Sequence, residues 1–213
     1  MNEVTGAMVA VKSDRALGRR EALLAAAAEV FFEQGYAATS IDAIIERVGG
    51  SKRNIYNEFG SKEGMFTALV SKFAEDVLSS LVIDEIKGRD LRETLIAFGE
   101  HLMGAYMSPA LIGVYRTVVA EANRYPTLGR TFYENGPARA TGRLAEVLEA
   151  AEARGEIDAD DCFRAASHFV GMIRDNLHLQ VVLGLRPPPD ADEARIAVLS
   201  AVDVFLNGVA SHR

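Results

Sequence analysis

The sequence predicts an all-α protein made of a small amino-terminal helical unit and a larger helical unit. From Lys62 onward apolar residues recur every three or four positions, as Phe66, Leu69, Val70 and Phe73 do, which is the spacing of one helix face. No stretch alternates apolar and polar residues as a half-buried strand does, and no internal repeat occurs. Glycine and proline separate the helical stretches from one another.

Composition excludes several classes of protein. The chain has 213 residues, 49% hydrophobic and 25% charged, enough to bury a substantial core. Its one cysteine, Cys162, excludes an internal disulfide and a thiolate zinc cluster, and its apolar neighbours predict a buried structural thiol. The net charge of −7 argues against an unselective nucleic-acid coater but not against a site-specific reader, which depends on its local field. Without a membrane-length apolar run or a signal pattern, we expect a cytoplasmic protein that binds no membrane.

The first elements are an arm and a helix. Residues 1–16 show no persistent pattern and predict a flexible arm. Residues 19–36 follow helical spacing and are rich in alanine, and Gly35 supplies the stop.

Residues 40–59 predict two short helices across a glycine turn. Ser40 precedes the first helix and Ser51 the second, where each hydroxyl can cap its helix. Gly49-Gly50 separates them, because glycine enters left-handed turns without strain. Ile55 and Phe59 form one apolar face of the second helix. Such a pair is the physical description of a helix-turn-helix reader. The side chains that can bond a phosphate or a base edge are Lys52, Arg53, Asn54, Tyr56 and Asn57.

Residues 19–66 resemble the amino-terminal domain of the tetracycline-repressor (TetR/AcrR) family of transcriptional regulators. The matching pieces are LLAAAAEVF, GYAATSIDAI and SKRNIYNEFGSKEGMF, each at the family's spacing. The resemblance implies that bases or the groove are contacted by Lys52, Arg53, Asn54 and Asn57. It implies that phosphates are held by Ser40, Tyr56 and Lys62. A looser resemblance to a subgroup of the family continues through YRTVVAEANRYPTLGRTFYENGPARA.

Three residues depart from the family's pattern. Gly50 stands where an apolar residue is usual and Ile45 where alanine is usual, so we expect a slightly different angle between the two helices. Glu58 places a carboxylate near the end of the recognition helix. It can repel phosphates, accept a bond from cytosine, or pair with Arg53 or Lys62, and we favour repulsion because it suppresses non-specific binding.

The larger unit is predicted as a series of helices. Proline and glycine mark most of their ends, and a triple proline forms a rigid spacer before the last one. The predicted helices cover residues 61–81, 90–107, 109–123, 125–135, 137–154, 158–185 and 191–207. The resulting division is an arm over 1–16, a helix-turn-helix DNA-binding domain over 17–64, and a ligand-binding and dimerisation domain over 65–213.

The predicted helix over residues 158–185 is apolar on two faces. Phe169 and Ile173 lie on one face and Leu179 on nearly the opposite one. One face can pack on its own core, and the other needs a partner. A single helix-turn-helix also reads too short a site to be selective, so we expect a homodimer. The resemblance points to the same two carboxyl-terminal helices, and the predicted interface residues are Met172, Leu179, Val182, Leu199, Val202 and Leu206.

Polar residues on these helices predict a pocket or a polar seam. His168, Asp175 and His178 fall on one side of a helix, where three such side chains could bind a metal. We favour hydrogen bonding across a seam or along a pocket, and we expect no metal or cofactor. Arg116 and Glu121 are expected to form an ion pair. The predicted effector-pocket residues are Phe98, Leu102, Tyr106, Tyr115, Arg116, Glu121, Phe169, Ile173 and Asn176.

The leading hypothesis is a repressor that binds a palindromic operator as a homodimer and is released by a small-molecule effector. An enzyme is the rival from another class, but the chain has no nucleophile elbow, no phosphate loop and no His-Glu-x-x-His motif. A helical ligand carrier is the third hypothesis, and it leaves the polar face of residues 52–57 without a purpose. A gel shift with promoter-proximal DNA distinguishes the three.

Overall fold

The computed structural model describes the backbone of residues 3–79 and 90–209, and the side chains of residues 18–78 and 90–207. These ranges contain helices and no strand, which confirms the all-α prediction. The predicted helix over 61–81 extends by two residues outside the described ranges. The helices are α1 (Glu3–Gln34), α2 (Ile41–Val48), α3 (Lys52–Phe59), α4 (Lys62–Ser79), α5 (Leu91–Tyr106), α6 (Pro109–Glu121), α7 (Pro126–Asn135), α8 (Pro137–Ala153), α9 (Cys162–Val182) and α10 (Ala191–Val209).

The amino-terminal segment contains the start of the first helix. Helix α1 begins at Glu3, within the residues 1–16 that the sequence predicts as a flexible arm, and the flexibility of this segment stays a prediction. The arm has no apolar period, but propagation of a helix needs none, and alanine and lysine here favour continuation of the helix that the alanine-rich stretch nucleates.

Serine caps fix the starts of the three helices around the turn. The Oγ atoms of Ser40, Ser51 and Ser61 accept hydrogen bonds from the third backbone N–H beyond, at 3.1, 3.3 and 3.0 Å. Gly49-Gly50 joins α2 to α3 with φ angles of 77° and 116°, which side chains disfavour. A β-carbon at Gly50 would also lie 3.2 Å from the Arg19 guanidinium. The departure at Gly50 therefore has a physical reason: the turn requires a positive φ, and Arg19 of α1 leaves little room for a side chain there.

The first hydrophobic core, which we call the reader core, holds α1 to α4 together. Phe31, Tyr36 and Phe66 form its aromatic centre, with ring centroids 5.4 to 5.5 Å apart. Ile44 and Ile55 anchor the two short helices in it. The reader core also reaches beyond the predicted domain boundary, through residues of α4, α6 and α7 that include Leu69, Val70, Val114, Val118 and Leu128.

Helix α6 approaches α1 closely. A β-carbon on Gly113 would lie 2.7 to 2.9 Å from ring atoms of Phe32, a distance that real side chains do not reach. Only a glycine therefore permits this contact without a shift of the Phe32 ring or of one of the helices.

The second core, which we call the carboxyl-terminal core, is formed by α5, α8, α9 and α10. Phe98, Phe169 and Phe205 lie at its centre, and Cys162 is buried at its edge as a free thiol, as the sequence predicts. Burial raises the pKa of the Cys162 thiol, so it is not activated as a nucleophile. Val202 is fully buried in this core and thus does not face a partner, which corrects its place in the predicted interface.

Helix α9 bends at Asp175. This residue has φ 23° and ψ −173°, the one non-glycine residue with positive φ among those described. Such a conformation is nearly restricted to glycine and costs about 1 to 3 kcal/mol. The bend falls inside the predicted helix over 158–185, where the apolar period continues without a break. In the described ranges, no helix is both long enough and apolar enough to cross a membrane.

Candidate nucleic-acid interface and ligand cavity

Helix α3 presents a polar face to solvent. Ile55 and Phe59 are buried in the reader core, and this fixes the rotation of the helix. The opposite side chains are exposed and together form what we call the reader surface: Lys52, Arg53, Asn54, Tyr56 and Asn57. These are the residues that the sequence predicts for DNA contacts, and the contacts themselves stay a prediction.

The amino-terminal end of the reader surface carries an ion pair. Lys52 Nζ lies 2.9 Å from Asp42 Oδ2 of α2, and both side chains are 58% exposed. The hydrogen bond to Asp42 raises the pKa of Lys52. An exposed pair of this kind is weak, so a phosphate can take the lysine from Asp42 at little cost. Ser40, at the start of α2, is also exposed and keeps its hydroxyl proton free for a phosphate.

The carboxyl-terminal end of α3 is tied to α1. Arg20 Nε lies 3.2 Å from Glu58 Oε1, and the Arg20 guanidinium stands 5.6 Å from the centre of the Phe59 ring. Glu58 therefore has an ion-pair partner, but it is Arg20 and not Arg53 or Lys62 as the sequence suggested. Sequence reasoning missed it because the two residues are far apart along the chain and meet only when α1 packs on α3.

Lys62 has a different position from the one that the resemblance implies. Its ammonium donates to the backbone carbonyls of Tyr36, Thr39 and Ala37 at 2.7, 3.0 and 3.3 Å, and it lies 4.5 Å from the centre of the Tyr36 ring. Burial lowers the pKa of Lys62. All three N–H donors of the ammonium are used within the protein, so in this structure Lys62 holds the loop between α1 and α2 and is not available to a phosphate.

Arg47 makes a second connection that sequence reasoning did not identify. Its guanidinium donates to Glu33 at 2.7 and 2.9 Å and to Glu29 at 3.2 Å, joining α2 to α1. The hydrogen bonds to Arg47 lower the pKa of Glu33. The i, i+4 spacing of two glutamates on one helix face was the available signal.

A cavity lies between the reader core and the carboxyl-terminal core. It has a volume of about 50 Å³ and we call it the central cavity. All six helices from α4 to α9 contribute residues to its lining, almost all of them apolar. Its lining includes Val70, Phe73, Ala74, Val77, Leu78, Leu102, Ala105, Tyr106, Leu111, Val114, Tyr115, Phe132, Gly136, Pro137, Ala140, Arg174 and His178.

Three of the nine predicted pocket residues line this cavity: Leu102, Tyr106 and Tyr115. Phe98, Phe169 and Ile173 instead fill the carboxyl-terminal core, with 6.4 Å between the centres of the two rings, and Asn176 is exposed. A helical period shows that such residues are inward-facing, but it cannot show which of two cores they enter.

Arg116 and Glu121 correct the expected ion pair, because each has another partner. Arg116 donates from Nε to the carbonyl of Val182 at 2.8 Å and from a terminal nitrogen to that of Val181 at 2.9 Å. It thereby satisfies the last turn of α9. Glu121 accepts a hydrogen bond from the backbone N–H of Ala37 at 3.3 Å, so α6 contacts the loop that Lys62 holds.

The histidines do not converge on a metal site. His178 is 5% exposed and packs against Tyr106 and Tyr115, with ring centroids 5.7 and 5.0 Å away. Burial, with a smaller contribution from the charge of Arg174, lowers the pKa of His178 to about 4. His168 and Asp175 are exposed. Among the described side chains, no three of His, Cys, Asp or Glu are placed to hold a metal ion.

Apolar side chains remain exposed on the last helices. Leu179 is 50% exposed and Ile196 is 68% exposed. Leu183 and Leu185, which follow α9 and were not predicted, are 62% and 72% exposed. The other predicted interface residues, apart from the buried Val202, are partly exposed: Met172, Val182, Leu199 and Leu206.

Two sequence families match the chain. Residues 23–69 match the family described as bacterial regulatory proteins, tetR family, and residues 93–208 match the AefR-like transcriptional repressor, C-terminal domain. The transcriptional activator FasR of Mycolicibacterium smegmatis is 38% identical over 63 residues, which are 30% of this chain and 29% of FasR. The transcriptional repressor NicS of Pseudomonas putida is 28% identical over 160 residues, 73% of this chain and 74% of NicS. The chain thus spans under a third of one of these relatives and about three quarters of the other.

Solved structures match over nearly the whole chain. A TetR-family transcriptional regulator from Mesorhizobium loti superposes with a TM-score of 0.80 at 26% identity, covering 92% of this chain and 99% of that one. The flavonoid-responsive regulator FrrA gives a TM-score of 0.76 at 31% identity, covering 92% and 98%. Together with the exposed reader surface on a helix-turn-helix, these matches show that the chain belongs to the TetR family of DNA-binding transcriptional regulators and is not an enzyme.

Proposed function

We propose that the protein is a homodimeric repressor in the cytoplasm that binds a palindromic operator in double-stranded DNA and is released by a small molecule in the central cavity. The observation that carries this proposal is that the central cavity and the reader core share walls. Val70 of α4 and Val114 of α6 each belong to the reader core and line the cavity, and Phe132 of α7 packs on that core and lines the cavity as well. A molecule that enters the cavity must push on the residues beneath the DNA-binding helices.

The small size of the central cavity suggests how a bound effector would act on the reader core. Ligand sites usually measure about 300–1,000 Å³, whereas the central cavity measures about 50 Å³. An effector therefore has to displace a wall. One wall is α4, an 18-residue helix about 27 Å long, which lines the cavity from Val70 to Leu78 and enters the reader core from Met65 to Val70. Because the two readers of a dimer must stand about 34–36 Å apart, or a multiple of that distance, a small displacement of α4 spoils the match to both half-sites.

The exposed apolar residues on α9 and α10 support the dimer. Leu179 and Ile196 are large apolar residues that are 50% and 68% exposed, and a second copy of the chain would cover them. We expect Leu179→Glu to give a folded monomer that no longer binds a two-half-site operator. Tyr133→Glu is the matched control, because Tyr133 is 60% exposed on α7, which packs on α4, α6 and α8. Sedimentation of both variants at micromolar concentration measures the change, and a wild-type monomer contradicts the proposal.

The experiment that tests DNA binding is a titration of fluorescent promoter-proximal DNA with the wild type and an Arg53→Ala variant. Arg53 is exposed on the reader surface, so the variant should lose about 1 to 3 kcal/mol of operator affinity if it contacts a guanine edge. Arg143→Ala is the control, since Arg143 is equally an exposed helical arginine but lies on α8. Full operator affinity in a Lys52→Ala, Arg53→Ala double variant would refute the assignment of the reader surface.

The chemistry of the effector follows in part from the lining. Phe73, Tyr106, Tyr115 and Phe132 supply aromatic surface on several sides of the central cavity. Flat aromatic molecules pack well between such rings. The structural relative FrrA is a flavonoid-responsive regulator, which supports an aromatic effector for this chain as well.

A further inference from the structure

The few polar groups that line the central cavity carry positive charge and no negative charge. Its ionisable lining side chains are Tyr106, Tyr115, Arg174 and His178, and no Asp or Glu is among the described residues that line it. Arg174 and His178 lie one helical turn apart on α9, on either side of the bend at Asp175. The polar part of the lining therefore offers a positive charge and hydrogen-bond donors, and no negative charge.

Arg174 has no counter-ion within the part of the chain that the structure describes. No ion pair or hydrogen bond there engages its guanidinium, whereas Arg186 and Arg195 in the following segment each pair with a glutamate. A guanidinium offers five N–H donors in a planar fork that matches a carboxylate. An arginine that no described residue pairs with, beside an apolar cavity, is thus a ready partner for an anion.

The positive charge of Arg174 affects the pKa of two other residues that line the central cavity. Burial raises the pKa of Tyr106, and the positive charge of Arg174 opposes that rise. The same charge adds to the effect of burial at His178, whose pKa falls to about 4. His178 is therefore neutral at neutral pH, and its ring can donate one hydrogen bond without adding a second charge.

The depth of these groups sets the orientation of a ligand. Arg174 is exposed, whereas Leu102, Val114 and Ala140 of the lining are buried. The cation thus stands where the cavity meets solvent, and the apolar walls lie below it. A ligand that uses both parts is amphipathic, with its charged end at the mouth.

We propose, building on the ligand-responsive function proposed above, that the effector is an amphipathic organic acid. Its carboxylate pairs with Arg174 at the mouth, and its aromatic body packs against the edge-to-face pair of Tyr115 and Phe132, whose ring centroids are 5.9 Å apart. The wall that carries Arg174 is the one that bends at Asp175, so the body can open the cavity there. A neutral planar molecule of the same shape gains the apolar contacts but not the ion pair.

A series of three naphthalene probes tests the charge preference. The probes are 2-naphthoate, 2-naphthamide and 2-naphthylmethylammonium, which share a ring system and differ in charge. Calorimetric titration of the full chain should rank them anion, neutral, cation in falling affinity. A charge-assisted hydrogen bond predicts that naphthoate binds about 10- to 100-fold more tightly than naphthamide.

Arg174→Gln should remove this difference and leave the affinity for naphthamide unchanged, which also shows that the variant is folded. Arg143→Gln, an exposed arginine of α8, is the matched control and should keep the wild-type ranking. Equal binding of all three probes by the wild type, or tightest binding of naphthamide, would overturn the acid and leave the ligand-responsive function standing. If none of the probes binds, the acid and the aromatic ligand site are both refuted.

Discussion

The position of Lys62 leads to a prediction that separates a structural role from a DNA contact. We consider Lys62→Met, which keeps the apolar stem and removes the ammonium. In the structure the ammonium donates to the carbonyls of Tyr36, Ala37 and Thr39, which end α1 and lead into α2. The substitution leaves these three carbonyls without their donor, so the loop that positions α2 loses its hydrogen bonds to α4.

The expected cost follows from these contacts. A hydrogen bond from a charged donor contributes about 1.5 to 3 kcal/mol and a cation–π contact about 0.5 to 1 kcal/mol. The contributions do not add fully, because burial of the ammonium carries a cost, as its lowered pKa shows, and the freed carbonyls can partly return to water. We therefore expect a net loss of about 2 kcal/mol, which for a chain of this length lowers Tm by about 4 to 8 °C.

Urea unfolding and the salt dependence of operator binding together test this reasoning. Unfolding should show the loss of stability for Lys62→Met, while Lys72→Met serves as the control. Lys72 lies on the same helix and makes only ion pairs with Glu21 and Asp76, at 3.5 and 3.4 Å, which stabilise little. The slope of log affinity against log salt should not change for Lys62→Met, whereas loss of one phosphate contact in each protomer reduces it by about 0.9 per contact, or about 1.8 for the dimer. A reduced slope at unchanged stability would show that Lys62 binds a phosphate and would refute the structural role.

Three further predictions concern single residues. The pKa of His178 is 6.5 in the unfolded chain and about 4 in the folded chain, so the protein loses stability as the pH falls between these values. In urea unfolding, the wild type should lose about 2 kcal/mol more than His178→Gln between pH 7 and pH 5. Asp175→Gly should be about 1 kcal/mol more stable than Asp175→Ala, the reverse of the usual order in a helix, because φ is 23° there; equal stabilities would contradict the strain. Glu58→Gln should tighten binding to operator and random DNA alike at fixed low salt, because it removes a negative charge from the DNA-facing side and frees Arg20, and unchanged random-DNA binding would argue against repulsion.

Local chemistry determined the elements that the sequence predicted well. Ser40, Ser51 and Ser61 cap the helices that they precede, since a cap needs only the residue and the three that follow it. The same holds for Pro109 at the start of α6, which Ser108 caps through the N–H of Leu111 at 3.2 Å. Burial of Ile55 on α3 likewise follows from spacing within one helix.

Sequence spacing was not sufficient where the packing of one helix on another decides whether a side chain is buried in a core, lines the cavity or stays exposed. Val202 and Leu179 have the same apolar character, but α10 directs Val202 into its own core and α9 leaves Leu179 exposed. Phe98 and Leu102 lie on one face of α5, yet only Leu102 reaches the central cavity. A period of 3.6 residues defines an inward face, and the packing of neighbouring helices decides which core or cavity that face meets.

The sequence by itself therefore determined the all-α class, the helix-turn-helix with its reader surface and most of the helix ends, because these depend on residues a few positions apart. Only the tertiary structure decided the partners of charged side chains. Lys62 donates to the loop between α1 and α2, and Glu58 pairs with Arg20. Arg116 bonds the end of α9, whereas Glu121 accepts a hydrogen bond from the loop between α1 and α2. A charged side chain selects whichever opposite charge or carbonyl the packed helices bring within about 3 Å, and that distance is set by the fold as a whole.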